Sequence, residues 1–303
     1  MKDKRIEQLK KDYMNIPIPE ELDFIVRKAL KSGGVKISQK GNISKKFVKV
    51  VATTAASIVM LAAMVNISPA FAKAVSEVPI VGGVVKVLTF REYTVNEDTF
   101  KAEIEVPAIS GLENKDLENS LNEKYLEEDK QLYEQFNADK EQIKESNGGP
   151  GGHLGVESGY VVKTDNDRIL SMGRYVVNTV GSSSTVFKYE TIDKKNQTVI
   201  TLPGLFKDDS YIDIISENIK KQMIEQNKED NNKFYWVAGI EQKGNITLFE
   251  KISKEQSFYI NSEGKLVISF DKYEVAPGYM GIVEFVIPTD ILSDILVSNE
   301  YIK

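Results

Sequence analysis

The residues best placed for chemistry in this sequence are a substrate rather than a catalyst. In "NISPAFAKAV", residues 66–75, the small residues Ala70 and Ala72 flank Phe71 and precede Lys73. That is an A-x-A-like cleavage pattern, and Pro69 breaks a helix where a peptidase needs extended backbone. The bond at stake joins Ala72 to Lys73. Chance recurrence of alanine at the end of an apolar run is the plain alternative. Catalytic equipment of the chain's own is sparse. Zero cysteines exclude thiol catalysis, disulfides and the usual structural zinc sites, and one histidine, His153 in a glycine-rich stretch, leaves little for imidazole chemistry. The sequence has no G-x-x-x-x-G-K-[ST] loop, G-x-S-x-G elbow or H-E-x-x-H site. Its carboxylates, as in "EKYLEED", read as solvated surface. The expectation is a protein that is not an enzyme, with no cofactor and no metal.

The elements around the scissile-looking bond give it a setting. From Val50 to Ala72 run 23 residues without a charge, about 35 Å as a helix against a hydrocarbon core of roughly 30 Å. Lys45, Lys46 and Lys49 precede the run, so the positive-inside rule holds the N-terminus in the cytoplasm and places residues 73–303 outside. A buried core helix is the alternative, disfavoured by length and charge. Charge divides the same way. Residues 1–49 carry 13 basic against 6 acidic side chains, a net of +7, and the whole 303-residue chain is −6, so the remainder carries −13. Such asymmetry points to two compartments or two kinds of partner.

Before the span, Ile6, Leu9 and Tyr13 share one helical face, and a second stripe comprises Leu22, Ile25, Val26, Ala29 and Leu30. Pro19 suits the first turn of this second helix, and Gly33–Gly34 its stop. Two short amphipathic helices enclose no core, so they need a surface: a partner protein or the inner leaflet. Direct nucleic-acid binding is not expected, because the basic residues are dispersed and no recognition motif appears.

After the span the sequence predicts an α+β domain, an antiparallel sheet with packed helices. Phe100, Ala102, Ile104 and Val106 alternate along a strand. Leu117, Leu121, Tyr125, Leu132 and Phe136 recur along a long charged helix docked on that sheet. Residues 147–159, with six glycines, predict a loop; strands follow, divided at "TDND", "GSSS" and "DKKN". Asp209 or Ser210 caps a helix over 208–228. A hairpin over 257–275, a turn "APGYMG", a strand "IVEFVIP" and a short helix "TDILSDILV" close the chain. In "APGYMG" Pro277 and Gly278 suit positions i+1 and i+2 of a type II turn, presenting Tyr279 beside Pro277 as an aromatic anchor; a core role for Tyr279 is the alternative.

The segments "IPIPEELDFIVRKAL", "NISPAFAKA", "VPIVGGVVKVLTFREY" and "FYINSEGKLVISFDKYEVAPGYMGIVEFVIP", in that order, resemble the RsiV-type anti-sigma factors, membrane-bound lysozyme receptors of Gram-positive bacteria, along essentially the full length. The resemblance implies that the cytoplasmic helices, through Leu9, Tyr13, Leu22, Ile25, Val26 and Leu30, hold an extracytoplasmic-function sigma factor. It implies lysozyme binding by the ectodomain, for which the "GSSS" turn, Ser182, Ser183 and Ser184, is a second candidate after Pro277 and Tyr279, as it resembles a family loop on the ligand-binding side. Signal peptidase would then cut after Ala72, and an intramembrane protease would free the sigma factor for transcription under cell-envelope stress. On that reading residues 70–90 are shielded until ligand binds. A membrane-anchored wall-associated module without a sigma partner is the competing expectation, and a membrane-tethered hydrolase a third.

Overall fold

The computed structural model describes residues 85–146, 152–242 and 244–303. The amphipathic stripes of residues 1–49, the apolar run 50–72, the Ala70, Ala72 and Lys73 site and the start of the 73–303 domain lie outside the described residues. Among the described residues no helix is long and apolar enough to cross a membrane.

The described chain builds, in order, β1 (Lys86–Glu97), β2 (Phe100–Ser110), α1 (Lys115–Ser146), β3 (Leu154–Asp165), β4 (Ile169–Val180), β5 (Ser182–Asp193), β6 (Thr198–Ile200), α2 (Ser210–Glu229), β7 (Phe258–Ile260), β8 (Leu266–Phe270) and β9 (Val283–Ile287). Strands β1 to β6 form one sheet in sequence order, and β7 to β9 a second. The class is α+β, as the sequence predicts, but the large sheet is mixed rather than wholly antiparallel. Strands β2 and β3 run parallel, Phe100 beside Leu154 and Ile104 beside Ser158. A parallel pair needs a long crossover, and α1 supplies it.

Alternation puts Phe100, Ala102, Ile104 and Val106 on one face of β2, all buried. Leu121, Tyr125 and Phe136 of α1 are buried in the same core, with Leu117 and Leu132 packed at its margin. A second core gathers Tyr211, Ile215, Ile219 and Met223 of α2 against Ile260, Ile268, Phe285 and Ile287 of the small sheet. The sheets meet where Thr164 and Ser171 donate to the Ile260 carbonyl at 2.7 and 3.2 Å.

Several local expectations change. Strand β1 lacks clean alternation because it is an edge strand, interrupted by an irregularity between Thr89 and Arg91. The stretch read as a loop through residue 159 is strand from Leu154 onward. Gly159 is there for closeness, not for turning: a Cβ at this position would stand 2.7 Å from the Tyr175 hydroxyl of the neighbouring strand. Residues 289–297 form only a 3-10 turn, Thr289–Ile291, followed by irregular chain. Neither candidate cap of α2 works through its side chain as read; Asp208 instead accepts from the Ser210 amide at 2.9 Å.

Register fixes the two ends of the large sheet. Val180 and Ser182 flank the β4–β5 reversal beside the Leu154 and Phe100 end. Lys86 pairs with Ser110 at the other end, about ten residues and roughly 33 Å away along the strands.

Candidate functional site

The sequence-predicted ligand residues lie on β5 and on the connection between β8 and β9. The reversal in "GSSS" falls on Gly181 alone, with Val180 opposite Ser182, so the three serines belong to the strand. Period-two alternation then separates them. Ser183 shares a face with Thr185, Phe187 and Tyr189, while Ser182 and Ser184 point with Lys188 and Glu190 toward α1.

The β8–β9 connection begins earlier than the hairpin reading over 257–275 requires. Strand β8 stops at Phe270, and Asp271 to Glu274 turn, with the Glu274 amide donating to the Asp271 carbonyl at 3.0 Å. Asp271 Oδ1 accepts from the Phe187 amide at 2.8 Å. The Lys272 amide donates to the Thr185 carbonyl at 3.1 Å, and Lys272 Nζ to Ser183 Oγ at 2.8 Å. Three consecutive bonds therefore clip the connection along the Ser183 face of β5. Burial pushes the Asp271 carboxyl above the usual range, opposed by the Phe187 amide. Glu274 moves the same way, chiefly by burial, with Asp271 adding to the rise and its hydrogen bonds to the Asp271 amide and Gln256 opposing it.

Tyr273 follows with φ of 72°, left-handed backbone that is unusual for a bulky residue. Its ring lies against Gly278 so closely that a Cβ there would be 2.2 Å from Tyr273 Cζ. Gly278 opens a 3-10 turn rather than serving as the positive-φ position of a type II turn. Pro277 caps it with extended backbone, and its carbonyl accepts from the Met280 amide at 2.9 Å. The left-handed residue is Gly281 instead, with φ of 66°. Tyr279 is 68% exposed and projects outward, so it has no core role. The structure thus joins Ser183 to the segment carrying Pro277 and Tyr279, and leaves Ser182 and Ser184 on the opposite face. Asp271, Lys272 and Tyr273, which do the joining, alternate like strand residues in "SFDKYEV" and gave no sign of turning.

The face beside this clip is aromatic and acidic. Ring centroids step from Tyr175 to Phe187 at 5.7 Å, to Tyr189 at 5.4 Å and to Tyr259 at 5.1 Å. Lys163 sits 4.9 Å above the Tyr259 ring and pairs with Glu284 at 2.8 Å. Glu105 is raised above its ordinary value by burial and by the neighbouring carboxylates Glu92, Glu103 and Glu157. The face thus joins stacked ring surface to clustered carboxylates. His153 is exposed, and among the described residues no group of three His, Cys, Asp or Glu side chains could hold a metal ion.

The chain is 45% identical over 303 residues to the anti-sigma-V factor RsiV of Bacillus subtilis, covering 99% of this chain and 100% of that protein. It belongs to the RsiV family of anti-sigma factors. Two family models match successive parts of this RsiV-family chain. The Deacetylase PdaC model matches residues 93–178, from β1 through most of β4, and DUF3298, a protein of unknown function, matches residues 204–290, from before α2 through β9. A DUF3298-family crystal structure from Bacteroides fragilis shares the fold, with a TM-score of 0.51 at 16% identity over 71% of this chain and 94% of that one.

Proposed function

We propose that this RsiV-family chain is a single-pass membrane anti-sigma factor without catalysis of its own. Residues 1–49 hold an extracytoplasmic-function sigma factor in the cytoplasm, residues 50–72 span the membrane, and residues 73–303 bind lysozyme outside. Leu9, Tyr13, Leu22, Ile25, Val26 and Leu30 form the sigma-binding stripes. Tyr279 and Pro277 contact lysozyme from the turn, with Ser183 on the adjoining strand. Ligand binding exposes the Ala72–Lys73 bond, with Ala70 and Ala72 as the small residues. Signal peptidase and then an intramembrane protease release the sigma factor.

The observation that supports this reading most is identity that runs end to end, through the segments before and after the apolar run as well as the ectodomain. The exposed Tyr279 and the carboxylates clustered around Glu105 support a cationic protein ligand. A ligand shifts the shielded and exposed states only by the difference in its affinity for them. Adding lysozyme to cells that express the chain is expected to produce a fragment beginning at Lys73, and residues 1–49 are expected to co-purify with a sigma factor. Equal cleavage with and without lysozyme refutes the gating. A tail that captures no sigma factor refutes the cytoplasmic half.

A further inference from the structure

Tyr279 stands on a short 3-10 turn, and such a turn has few bonds of its own to hold an aromatic side chain in one direction. The bulky group packed against that turn comes from six residues earlier, at Tyr273. The Tyr273 backbone adopts φ of 72°, a conformation that costs a non-glycine residue energy unless its surroundings impose it. Here the ring is received by Gly278, immediately before Tyr279, with no room for even a methyl group between them. The other side of the bracket is Lys272, whose ammonium lies 5.3 Å from the Tyr273 ring centroid and bonds Ser183 Oγ. Asp271 closes it on the Phe187 amide.

We infer that Tyr273 is a positioning residue of the ligand face: its ring, locked over Gly278, sets the direction of Tyr279, and Lys272 ties that turn to Ser183. The inference rests on the assignment of Tyr279 and Ser183 to the lysozyme face. Pre-setting an anchor before the partner arrives removes ordering cost from binding, so the bracket acts through affinity. Tyr273 is itself 46% exposed. Burial in a core is therefore not its purpose.

The test uses the full chain in detergent micelles, with egg-white lysozyme as the probe and thermal unfolding recorded for every variant. Tyr279→Ala is expected to weaken binding at least tenfold. Tyr273→Ala and Gly278→Ala, the second of which forces the ring aside, are each expected to weaken it about tenfold without shifting the melting temperature. Tyr273→Phe, which keeps the ring, is expected to restore binding to within twofold. A merely structural role would not couple the two tyrosines. The double variant Tyr273→Ala/Tyr279→Ala is therefore expected to bind no worse than Tyr279→Ala alone. If Tyr279→Ala weakens binding while Tyr273→Ala and Gly278→Ala leave it within twofold, the bracket is overturned and the ligand face stands. Additive losses in the double variant overturn it too. If Tyr279→Ala has no effect, the ligand face falls, and the bracket with it.

Discussion

The two faces of the six-stranded sheet are built on opposite terms. One is sealed by α1, with Tyr125 and Phe136 fully buried and a charged network enclosed beside them: Arg174 lies 4.4 Å over the Tyr125 ring and pairs with Glu128 at 2.8 Å and Glu190 at 3.4 Å. The other carries glycines under tyrosines, the Asp271–Tyr273 clip and the exposed Tyr279. The sealed face holds one of the two described hydrophobic cores. The open one packs in part on the small sheet, through Ile169 and Ser171, and leaves Tyr279 exposed on the adjoining connection. Recognition can therefore diverge on one side without unfolding the other.

That contrast breaks most directly at Tyr125. Tyr125→Ala is expected to cost about 3–5 kcal/mol in urea unfolding, the range for deleting a buried aromatic. Its hydroxyl is buried and finds no hydrogen-bond partner among the described residues, so Tyr125→Phe is expected to be neutral or stabilising. Arg174→Met leaves Glu190 buried, with Lys124 at 2.9 Å as its remaining cationic partner. A loss of about 3 kcal/mol is expected by the same measurement.

Asp129 sharpens the comparison in the opposite direction. Burial pushes its carboxyl up to about 6 from 3.8, against the pull of Arg174 and Ser158. A raised carboxyl favours folding below its unfolded pKa, and that contribution is lost as pH rises from about 4 through about 6. Asp129→Asn is expected to raise stability at pH 8 by on the order of 1–2 kcal/mol and to flatten the melting temperature between pH 4 and 7. On the open face Tyr279→Ala is expected to change stability by less than about 0.5 kcal/mol in the same unfolding assay. A larger loss would mean that the two faces are not separable.

Much of the sealed face was legible in sequence. Its hydrophobic periods are uninterrupted: every second residue from Phe100 to Val106, and helical intervals from Leu117 to Phe136. The parallel β2–β3 pairing was not legible, because nothing local tells a crossover helix from a helix that ends one hairpin and begins another. The open face misled for a different reason. Gly155 and Gly159 read as punctuation, since a glycine under a cross-strand neighbour leaves the same letter as a glycine in a turn. At the candidate site, Lys272 ties Ser183 to the segment that carries the exposed Tyr279, whereas strand alternation turns Ser182 and Ser184 to the opposite face, which a reading of "GSSS" as a turn does not anticipate. The left-handed Tyr273 has no sequence signature, because the turn bond from the Glu274 amide to the Asp271 carbonyl and the close approach of Gly278 come together only in the fold.

The chain enters the large sheet at Lys86, at the end opposite the β4–β5 reversal, and β1 pairs along its length with β2 alone. A load applied between that entry point and the far tip runs parallel to the strands. It strains the β1–β2 hydrogen bonds together, in shear, instead of peeling them open one after another. Along that line the sheet resists by many bonds at once, so its edge strand is not shed one pair at a time.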